Sequence, residues 1–438
     1  MRMYWMPALV AVAGCAGALD RKHDYDTMLG ELHRDVRPEA PAAFGDHLDR
    51  AALVRAVLAR NPGLTAMRQA WRAAIADVRG AGTLDDPMVT YEVAPLSIAG
   101  TSAPFGQRVQ LSQKLPWPGK RALEGDAAVA DAEIAHEDVR AMTLELAALA
   151  SDLYDDYVLV GQELTLNDHH RMLAEQMKKA AEAQLSVGRG STQDALAANV
   201  ELGKLAQDRL GLETEREATI AQLDGLLHVA PDAPLPPPAA DSVATTTEPP
   251  ALDVLLRMAA ERPDARAASE RIAGGTARVE SAERAFYPDL ELMASYDSMW
   301  DMPEHRWMVG VGIDIPIQRG KREAAADAAR ARVAQAGAEL DRLRDDVRVA
   351  VFRARREVIE SNAVVAGYDQ ELLPASRAQV DAALQGFVIG RNDFSAVIEA
   401  EHATRDLEIG AARARAQLSK RRTALDKATG RLPGGGAP

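Results

Sequence analysis

The spacing of apolar residues changes from helical to alternating and back in each half of this chain. Residues 48–84 have helical spacing that is interrupted at Asn61-Pro62, where the proline lacks the amide that would continue a helix. Residues 88–93 and 108–115 then alternate between apolar and polar side chains, on either side of a loop of small residues near 98–104. This alternation predicts a β-hairpin with one apolar and one polar face.

The second half predicts another hairpin by the same alternation. Leu290, Leu292 and Tyr296 alternate with polar residues, and the apolar positions from Val309 to Ile317 alternate with glycines and an aspartate. A soluble half-buried hairpin would have the same pattern, but two isolated strands are only marginally stable in water. In lipid, open strand edges cost several kcal/mol and four strands are too few to close a barrel. Strands that cross a membrane here would therefore require an oligomer.

A proline-containing stop and a basic pair end each hairpin and precede a long helix. Lys120-Arg121 open a proline-free stretch to residue 187, which would reach roughly 100 Å at about 1.5 Å per residue. Lys321-Arg322 open the second, with a kink predicted at Pro374. Apolar residues three or four positions apart form a narrow stripe on each helix: Met142, Leu146, Leu149, Leu153, Tyr157, Val160 and Leu164 on the first, and Leu340, Leu343, Val347, Val351, Ala354 and Val358 on the second. Such stripes are typical of coiled-coil-like packing.

The recurrence of these segments indicates an internal duplication. Pro62 recurs as Pro263, and Gly119-Lys120-Arg121 as Gly320-Lys321-Arg322, a spacing of 201 residues. The chain is predicted to begin with a signal segment (1–15) and an N-terminal extension (16–44). The first repeat (45–228) consists of a helix, hairpin 87–116, long helix 120–187 and a return helix, and a proline-rich linker (229–250) follows it. The second repeat (251–430) consists of a helix, hairpin 288–317, long helix 321–389 and a return helix, and a disordered tail (431–438) ends the chain.

Composition and charge exclude several classes of function. Only 4% of the residues are aromatic and the formal net charge is −14, which favours long helices over a thick core and disfavours nucleic acid as a partner. The sequence contains no phosphate loop, no nucleophile elbow and no paired histidines at helical metal spacing, so we predict neither an enzyme nor a need for cofactors. His169 and His170 are adjacent and point about 100° apart on a helix. They are therefore predicted to be solvated or interface residues rather than a metal chelate.

The single cysteine predicts a lipid anchor. Met1-Arg2 is positively charged, residues 3–14 are almost wholly apolar, and small residues precede Cys15. This pattern resembles the lipobox of bacterial lipoproteins, in which the cysteine becomes the lipidated first residue. An ordinary apolar N-terminus with an incidental cysteine is the alternative. By the same resemblance, Ala16 after the anchor favours the outer membrane.

The order and spacing of these features over about residues 45–430 resemble the TolC-like outer membrane efflux proteins. The resemblance is carried by the duplicated hairpins, the Gly-centred helical turns, Leu115-Pro116-Trp117-Pro118-Gly119-Lys120-Arg121, and Ile315-Pro316-Ile317 with Gly320-Lys321-Arg322. It implies a mainly α fold with a small membrane β part: a homotrimer in which four strands from each chain close a 12-stranded barrel and long helices form a periplasmic tunnel. It also implies a passive outer membrane conduit that works with a periplasmic adaptor protein and an inner membrane pump.

The resemblance also implies sites at the periplasmic tip. The adaptor-docking residues would be Val187, Gly188 and Arg189 after the first long helix, and Ile389, Gly390 and Arg391 after the second. A glycine helix cap beside a solvated arginine is the alternative, and it does not explain why the arginine recurs. Asp194 and Glu399 are candidates for an acidic ring at a closed aperture, with a solvated helix face as the alternative. The chain has Ala396 where family members carry a second acid.

The predicted substrates are heavy-metal cations. The segment Met293–Met308 includes Met299, Met302 and His305, and thioether and imidazole ligands suit Cu(I) and Ag(I). Methionines that pack or face lipid would explain the segment equally, and efflux of drugs or other small molecules is then the alternative. A lipid-anchored helical scaffold without a pore is a second alternative, although it requires no isolated amphipathic hairpins.

Overall fold

The computed structural model describes residues 23–35, 44–95, 98, 106–186, 190–239 and 247–433. The fold is mainly helical with one small antiparallel sheet, as predicted. The helices of the described part are α1 (residues 23–35), α2 (Arg50–Arg60), α3 (Pro62–Gly80), α4 (Lys120–Ser186), α5 (Thr192–Leu227), α6 (Leu252–Ala259), α7 (Pro263–Arg284), α8 (Arg319–Gly367), α9 (Leu373–Val388) and α10 (Phe394–Thr429). The strands are β1 (Met88–Val93), β2 (Gln107–Leu115), β3 (Asp289–Asp297) and β4 (Trp307–Asp314).

Both halves contain the predicted succession of helix, hairpin, long helix and return helix. The second return strand is shorter than the alternation suggested, because β4 ends at Asp314 rather than continuing to Ile317. Pro316 has no amide for a strand ladder, which accounts for the early end. Among the described helices, none combines the length and the apolar content needed to cross a membrane.

The four strands form one sheet in the order β1-β2-β3-β4, with every neighbouring pair antiparallel. Val109 lies opposite Tyr91 on one side and Tyr296 on the other, so the apolar residues of both hairpins share one face. This face is exposed, and Val309 on β4 reaches 88% exposure. The polar positions of the alternation lie on the other face.

The repeated Gly-Lys-Arg segments join each hairpin to its long helix. The Arg121 guanidinium donates to the Gly82 carbonyl at 2.7 Å, and Arg322 donates to the Ala285 carbonyl at 2.8 Å. Each arginine therefore ties the start of a long helix to the end of the helix that precedes the hairpin. Gly119 has a φ of +90° and would place a Cβ on the Arg284 guanidinium, so both its backbone and its surroundings require glycine.

The chain divides into two compact units. The first, which contains the sheet, comprises Met1–Arg37, Ala66–Val139 and Asp264–Leu343. Within it, Trp71 is buried and stacks on His136 with ring centroids 4.2 Å apart. The second unit comprises Pro38–Thr65, Arg140–Pro263 and Arg344–Pro438.

Apolar clusters join the helices of the second unit in its described part, two of which are named by their central residues. One joins α6, α8 and α10 around Val351 and Leu418, and the other joins α4, α5, α9 and α10 around Phe394. The predicted stripe of α4 is mostly buried, but Leu149 is 44% exposed and lies off it. The stripe of the second long helix is likewise buried at Leu340, Val351, Ala354 and Val358.

The break predicted at Pro374 takes the form of a π-helical turn, Tyr368–Leu372, between α8 and α9. A proline at 374 cannot donate to the carbonyl of residue 370. The Leu373 amide instead bonds the Tyr368 carbonyl five residues earlier. The wider turn lets the helical path continue across the proline.

Candidate functional site

The two predicted tip turns differ in what the structure describes. Val187, Gly188 and Arg189 lie outside the described residues, as does Cys15. In the second turn, Gly390 has a φ of +73°, and the Arg391 amide bonds the Gly386 carbonyl at 2.8 Å. A helix end in the left-handed region explains the glycine. Ile389 and Arg391 are both exposed.

The two candidate aperture acids have different local roles. Asp194 accepts from the Ser191 amide at 3.1 Å, while the Ser191 hydroxyl oxygen accepts from the Gln193 amide, which forms a capping box at the start of α5. Glu399 is exposed on the first turns of α10. Asp194 therefore caps a helix, a role that was not predicted from the sequence, whereas Glu399 is exposed to solvent.

The methionine segment lies at the turn between β3 and β4. Met299 and Met302 are both more than half exposed, and the His305 ring lies edge-on to Trp300 with centroids 5.8 Å apart. The thioether of Met299 closely approaches Gly106. Within the described ranges, no group of three or more histidine, cysteine, aspartate or glutamate side chains is arranged to hold a metal ion.

A charged network surrounds His170, and the sequence did not predict it. The imidazole is 3% exposed and lies between two carboxylates of α10: its Nδ1 is 2.5 Å from Glu401, and its Nε2 is 3.1 Å from Glu408. Glu408 also accepts from Arg377 of α9 at 2.8 Å. A neutral imidazole has only one N–H, so two carboxylate acceptors require the doubly protonated ring.

The electrostatics agree with this protonation state. Burial lowers the pKa of His170, but the hydrogen bonds and charges of Glu401 and Glu408 outweigh it and raise the pKa to about 9. The hydrogen bond from His170, opposed by burial and reinforced by Arg377, lowers the pKa of Glu408 to about 2. His170 and Glu408 are therefore both charged around neutral pH.

The two histidines, which were predicted to be solvated or interface residues, have different surroundings. His169 is exposed, as predicted, whereas His170 faces the helix partner. The signal that could have found it is its spacing of 28 residues, or four heptads, from Met142 of the predicted stripe on α4. A histidine on the buried side of a helix needs polar partners, and a single sequence does not reveal which helix supplies them.

Further ion pairs connect α4 and α10. Glu163 accepts from the Arg413 guanidinium at 2.7 Å, and Asp156 lies 2.5 Å from the Lys420 ammonium. Asp155 is buried and pairs with Arg50 of α2, which also donates to Ser419 of α10. Burial raises the pKa of Asp155 despite Arg50, and burial raises the pKa of Asp152 to about 6.

A cavity of about 790 Å³ opens beside this network. Its wall combines Gly161 and Leu166 of α4, the linker prolines 237 and 238, and the alanines 411 and 412 of α10. Asp369 of the π turn, Arg377, Glu408 and Arg415 supply the charged part of the wall. Glu408 thus links the buried histidine to a solvent-accessible space.

This fold is that of known outer membrane channels. CusC superposes with a TM-score of 0.75 at 18% identity, covering 90% of this chain and 98% of that one. The open state of MtrE from Neisseria gonorrhoeae gives a TM-score of 0.74 at 18% identity, covering 87% and 89%. OprN gives 0.71 at 20% identity, covering 90% and 94%. No curated protein matches the sequence.

The sequence matches a family model over part of its length. Residues 254–431 match the family model of outer membrane efflux proteins. The predicted resemblance to the TolC-like outer membrane efflux proteins is confirmed, and with it the outer membrane location with a periplasmic helical part. These proteins are channels, which also confirms that the chain is not an enzyme.

Proposed function

We propose that three copies of this chain form a passive channel through the outer membrane, the export conduit of a tripartite efflux system. The observation that carries this proposal is the sheet, whose apolar face is exposed from Val89 on β1 to Val309 on β4. In the described part of the chain, β1 and β4 are edge strands. Lipid accepts an apolar face but not an open edge, so further copies must complete the sheet. Three copies would supply 12 strands, within the range of known barrels of about 8 to 26.

The proposed partners are a periplasmic adaptor protein and an inner membrane pump. The docking surface comprises the two turns after the long helices, with Val187, Gly188, Arg189, Ile389, Gly390 and Arg391. The exposure of Ile389 and Arg391 supports an accessible surface in the second turn. Cys15 is the proposed lipid anchor that holds the chain at the outer membrane.

The proposed aperture contains Asp194 and Glu399. Symmetric copies of a carboxylate would form an acidic ring that attracts cations. Because Asp194 already caps α5 whereas Glu399 is exposed, Glu399 is the stronger candidate for a side chain that faces the pore.

The experiment that tests the channel is single-channel recording of the purified protein in planar lipid bilayers, with its oligomeric mass measured in parallel. A trimer with discrete openings supports the proposal, and a monomer that never conducts favours the lipid-anchored scaffold. Val309→Arg places a charge on the apolar face and should prevent insertion, because a cation facing lipid costs about 2–4 kcal/mol near the midplane. The matched control is Ser295→Arg, which lies on the opposite face of the sheet.

The proposed substrates are heavy-metal cations, Cu(I) or Ag(I) among them. The support is the exposed thioethers of Met299 and Met302 near His305, which are soft ligands of the kind these ions prefer. Loss of the gene should then lower copper tolerance. Unchanged tolerance would leave drugs or other small molecules as the substrates of the same architecture.

A further inference from the structure

The charged contacts between α4 and α10 follow a regular spacing. On α4 the participating residues are Asp156, Glu163 and His170, each seven residues from the next. On α10 their partners run in the opposite direction: Lys420 for Asp156, Arg413 for Glu163, and the Glu401 and Glu408 pair for His170. Seven residues span two turns of a supercoiled helix, so these three residues lie on the same side of α4. Each set of paired charges is called a rung below, and the contact between α4 and α10 is called the seam.

The seam is polar where coiled coils are usually apolar. Glu163 is 5% exposed and His170 is 3% exposed, so two of the three rungs contain a buried charge that the partner helix must neutralise, while Asp156 and Lys420 are partly exposed. The sign of the charges reverses along the seam, because α4 supplies the acids at 156 and 163 but the cation at 170. If α10 were shifted along α4 by one heptad, His170 would lie opposite Arg413. Repulsion between these two cations therefore disfavours such a shift.

The equivalent positions of the other two helices do not repeat this arrangement. Moving 201 residues from Asp156, Glu163 and His170 leads to Glu357, Val364 and Glu371 on the second long helix. The tip turns at Gly188 and Gly390 are 202 residues apart, and moving back by that spacing from Arg413 and Lys420 leads to Gly211 and Ala218 on α5. Among the described residues, the equivalent positions therefore do not repeat the α4–α10 ladder, although the chain contains two long helices and two return helices.

We propose that the ladder of ion pairs fastens α10 to α4, so that these two helices move as one body and any opening near the tip occurs at seams without the ladder. The consequence for opening rests on the proposed channel function, whereas the fastening of the two helices does not.

The test exchanges the charges of the middle rung in the full-length protein. Arg413→Glu places an acid against the buried Glu163, and the double variant Glu163→Arg with Arg413→Glu restores opposite charges. Hydrogen exchange of residues 401–420, followed by mass spectrometry on the solubilised protein, reports local opening of α10. We expect Arg413→Glu to accelerate exchange about tenfold, since it leaves a buried charge uncompensated, and the double variant to recover most of this protection.

Two further variants keep the test decisive. Gln417→Glu makes the same helix more acidic at an exposed position one turn from either rung, and it should leave exchange unchanged. If Arg413→Glu does not fold, Arg413→Gln removes the rung without adding a repulsive charge, and about threefold faster exchange is expected because partly exposed pairs are weak. Equal effects of Arg413→Glu and Gln417→Glu, or no recovery in the double variant, would overturn the ladder.

Conductance separates the ladder from the channel proposal. If the wild-type protein conducts, Arg413→Glu should alter its opening and the double variant should return it to the wild-type pattern. If the wild-type protein, Arg413→Glu and the double variant all conduct with the same opening behaviour, the ladder has no effect on channel opening, and that part of the proposal is overturned. If the wild-type protein never conducts, the channel proposal fails, and the exchange experiment still decides whether the ladder fastens α10.

Discussion

The two long helices carry an acidic residue at equivalent positions but place it in different surroundings. Asp168 of α4 pairs with Arg209 of α5, 41 residues further along the chain. Asp369, 201 residues after Asp168, pairs with Arg415 of α10, 46 residues further along. The additional five residues exceed one helical turn of about 3.6 residues. Each repeat thus pairs its acid with an arginine of its own return helix, but the two pairs have different registers.

The backbones of the two long helices also differ near these equivalent positions. In α4 the helix is uninterrupted, and Asn167 donates to the Leu205 carbonyl at 3.1 Å. At the equivalent position of the second helix, Tyr368 opens a π turn and its ring packs against Gly410. The first long helix therefore makes polar contacts near Asn167, whereas the second accommodates a proline near the equivalent Tyr368. A shared ancestry of the two halves would fix the order of elements, while local residues decide how each helix continues.

The largest expected effect comes from removing the cation in the first helix. His170→Gln removes the cation that pairs with both Glu401 and Glu408, although Glu408 keeps Arg377, and breaking a buried pair costs about 3–5 kcal/mol. Hydrogen exchange in α10 measures this loss as a lower free energy of local opening. His169→Gln is the matched control, because that side chain is exposed, and it should change the opening free energy by less than about 0.5 kcal/mol. Similar losses in both variants would contradict the assigned role of His170.

The pH dependence of the same contact provides the next test. The pKa of His170, opposed by burial but raised to about 9 by its two glutamates, lies above the usual 6.5. Its contribution is therefore complete below pH 6.5 and is lost as the pH rises from 6.5 to 9, a change on the order of 3 kcal/mol. The pKa of Glu408 is lowered to about 2, so its contribution is complete above pH 4.5 and is lost as the pH falls towards 2.

A comparison of variants identifies the residue responsible for the loss of stability at high pH. In the wild-type protein, thermal unfolding midpoints should fall between pH 6.5 and 9, and the fall should be much smaller in His170→Gln. A decline of the same size in both proteins would mean that other groups titrate in this range.

A proline exchanged between the two helices addresses their difference directly. Leu173→Pro places a proline in α4 at the position equivalent to Pro374, where the helix has no π turn. The lost amide and the ring clash should cost about 3 kcal/mol or more. Leu173→Ala controls for the lost side chain, and Pro374→Ala should cost much less because the π turn already satisfies the backbone. A Leu173→Pro protein as stable as Leu173→Ala would show that either helix accepts the proline.

How far the sequence predicted these features depends on whether the signal is local. Pro62, Pro116 and Gly390 end or interrupt elements through their own backbone geometry, so the ends of these helices and strands could be read from single residues. The sheet order and the His170 network depend on which distant element packs alongside, and neither His170 nor Glu408 carries that information. Pro374 lies between these cases, since its missing amide predicted a break but not the π turn that accommodates it.

The smallest expected effect concerns the glycine that faces the π turn. A Cβ added at Gly410 would lie 2.7 Å from the Tyr368 hydroxyl oxygen, so Gly410→Ala should destabilise α10 by about 1–2 kcal/mol through overpacking. Gly203→Ala on α5 is the matched control, because no atom lies within 4 Å of its added Cβ. It should instead stabilise its helix by up to about 1 kcal/mol, the difference in helix propensity between the two residues.

A second substitution shows whether the clash or the helix propensity decides the outcome at Gly410. Tyr368→Phe removes the oxygen closest to the added methyl group, so the double variant with Gly410→Ala should regain part of the lost stability. Hydrogen exchange of α9 and α10 measures both variants on the same scale. If Gly410→Ala stabilised α10 as Gly203→Ala stabilises α5, the ring of Tyr368 would have to turn aside at little cost. The π turn would then not depend on a glycine opposite it, and the two repeats would differ only in the helix that contains the proline.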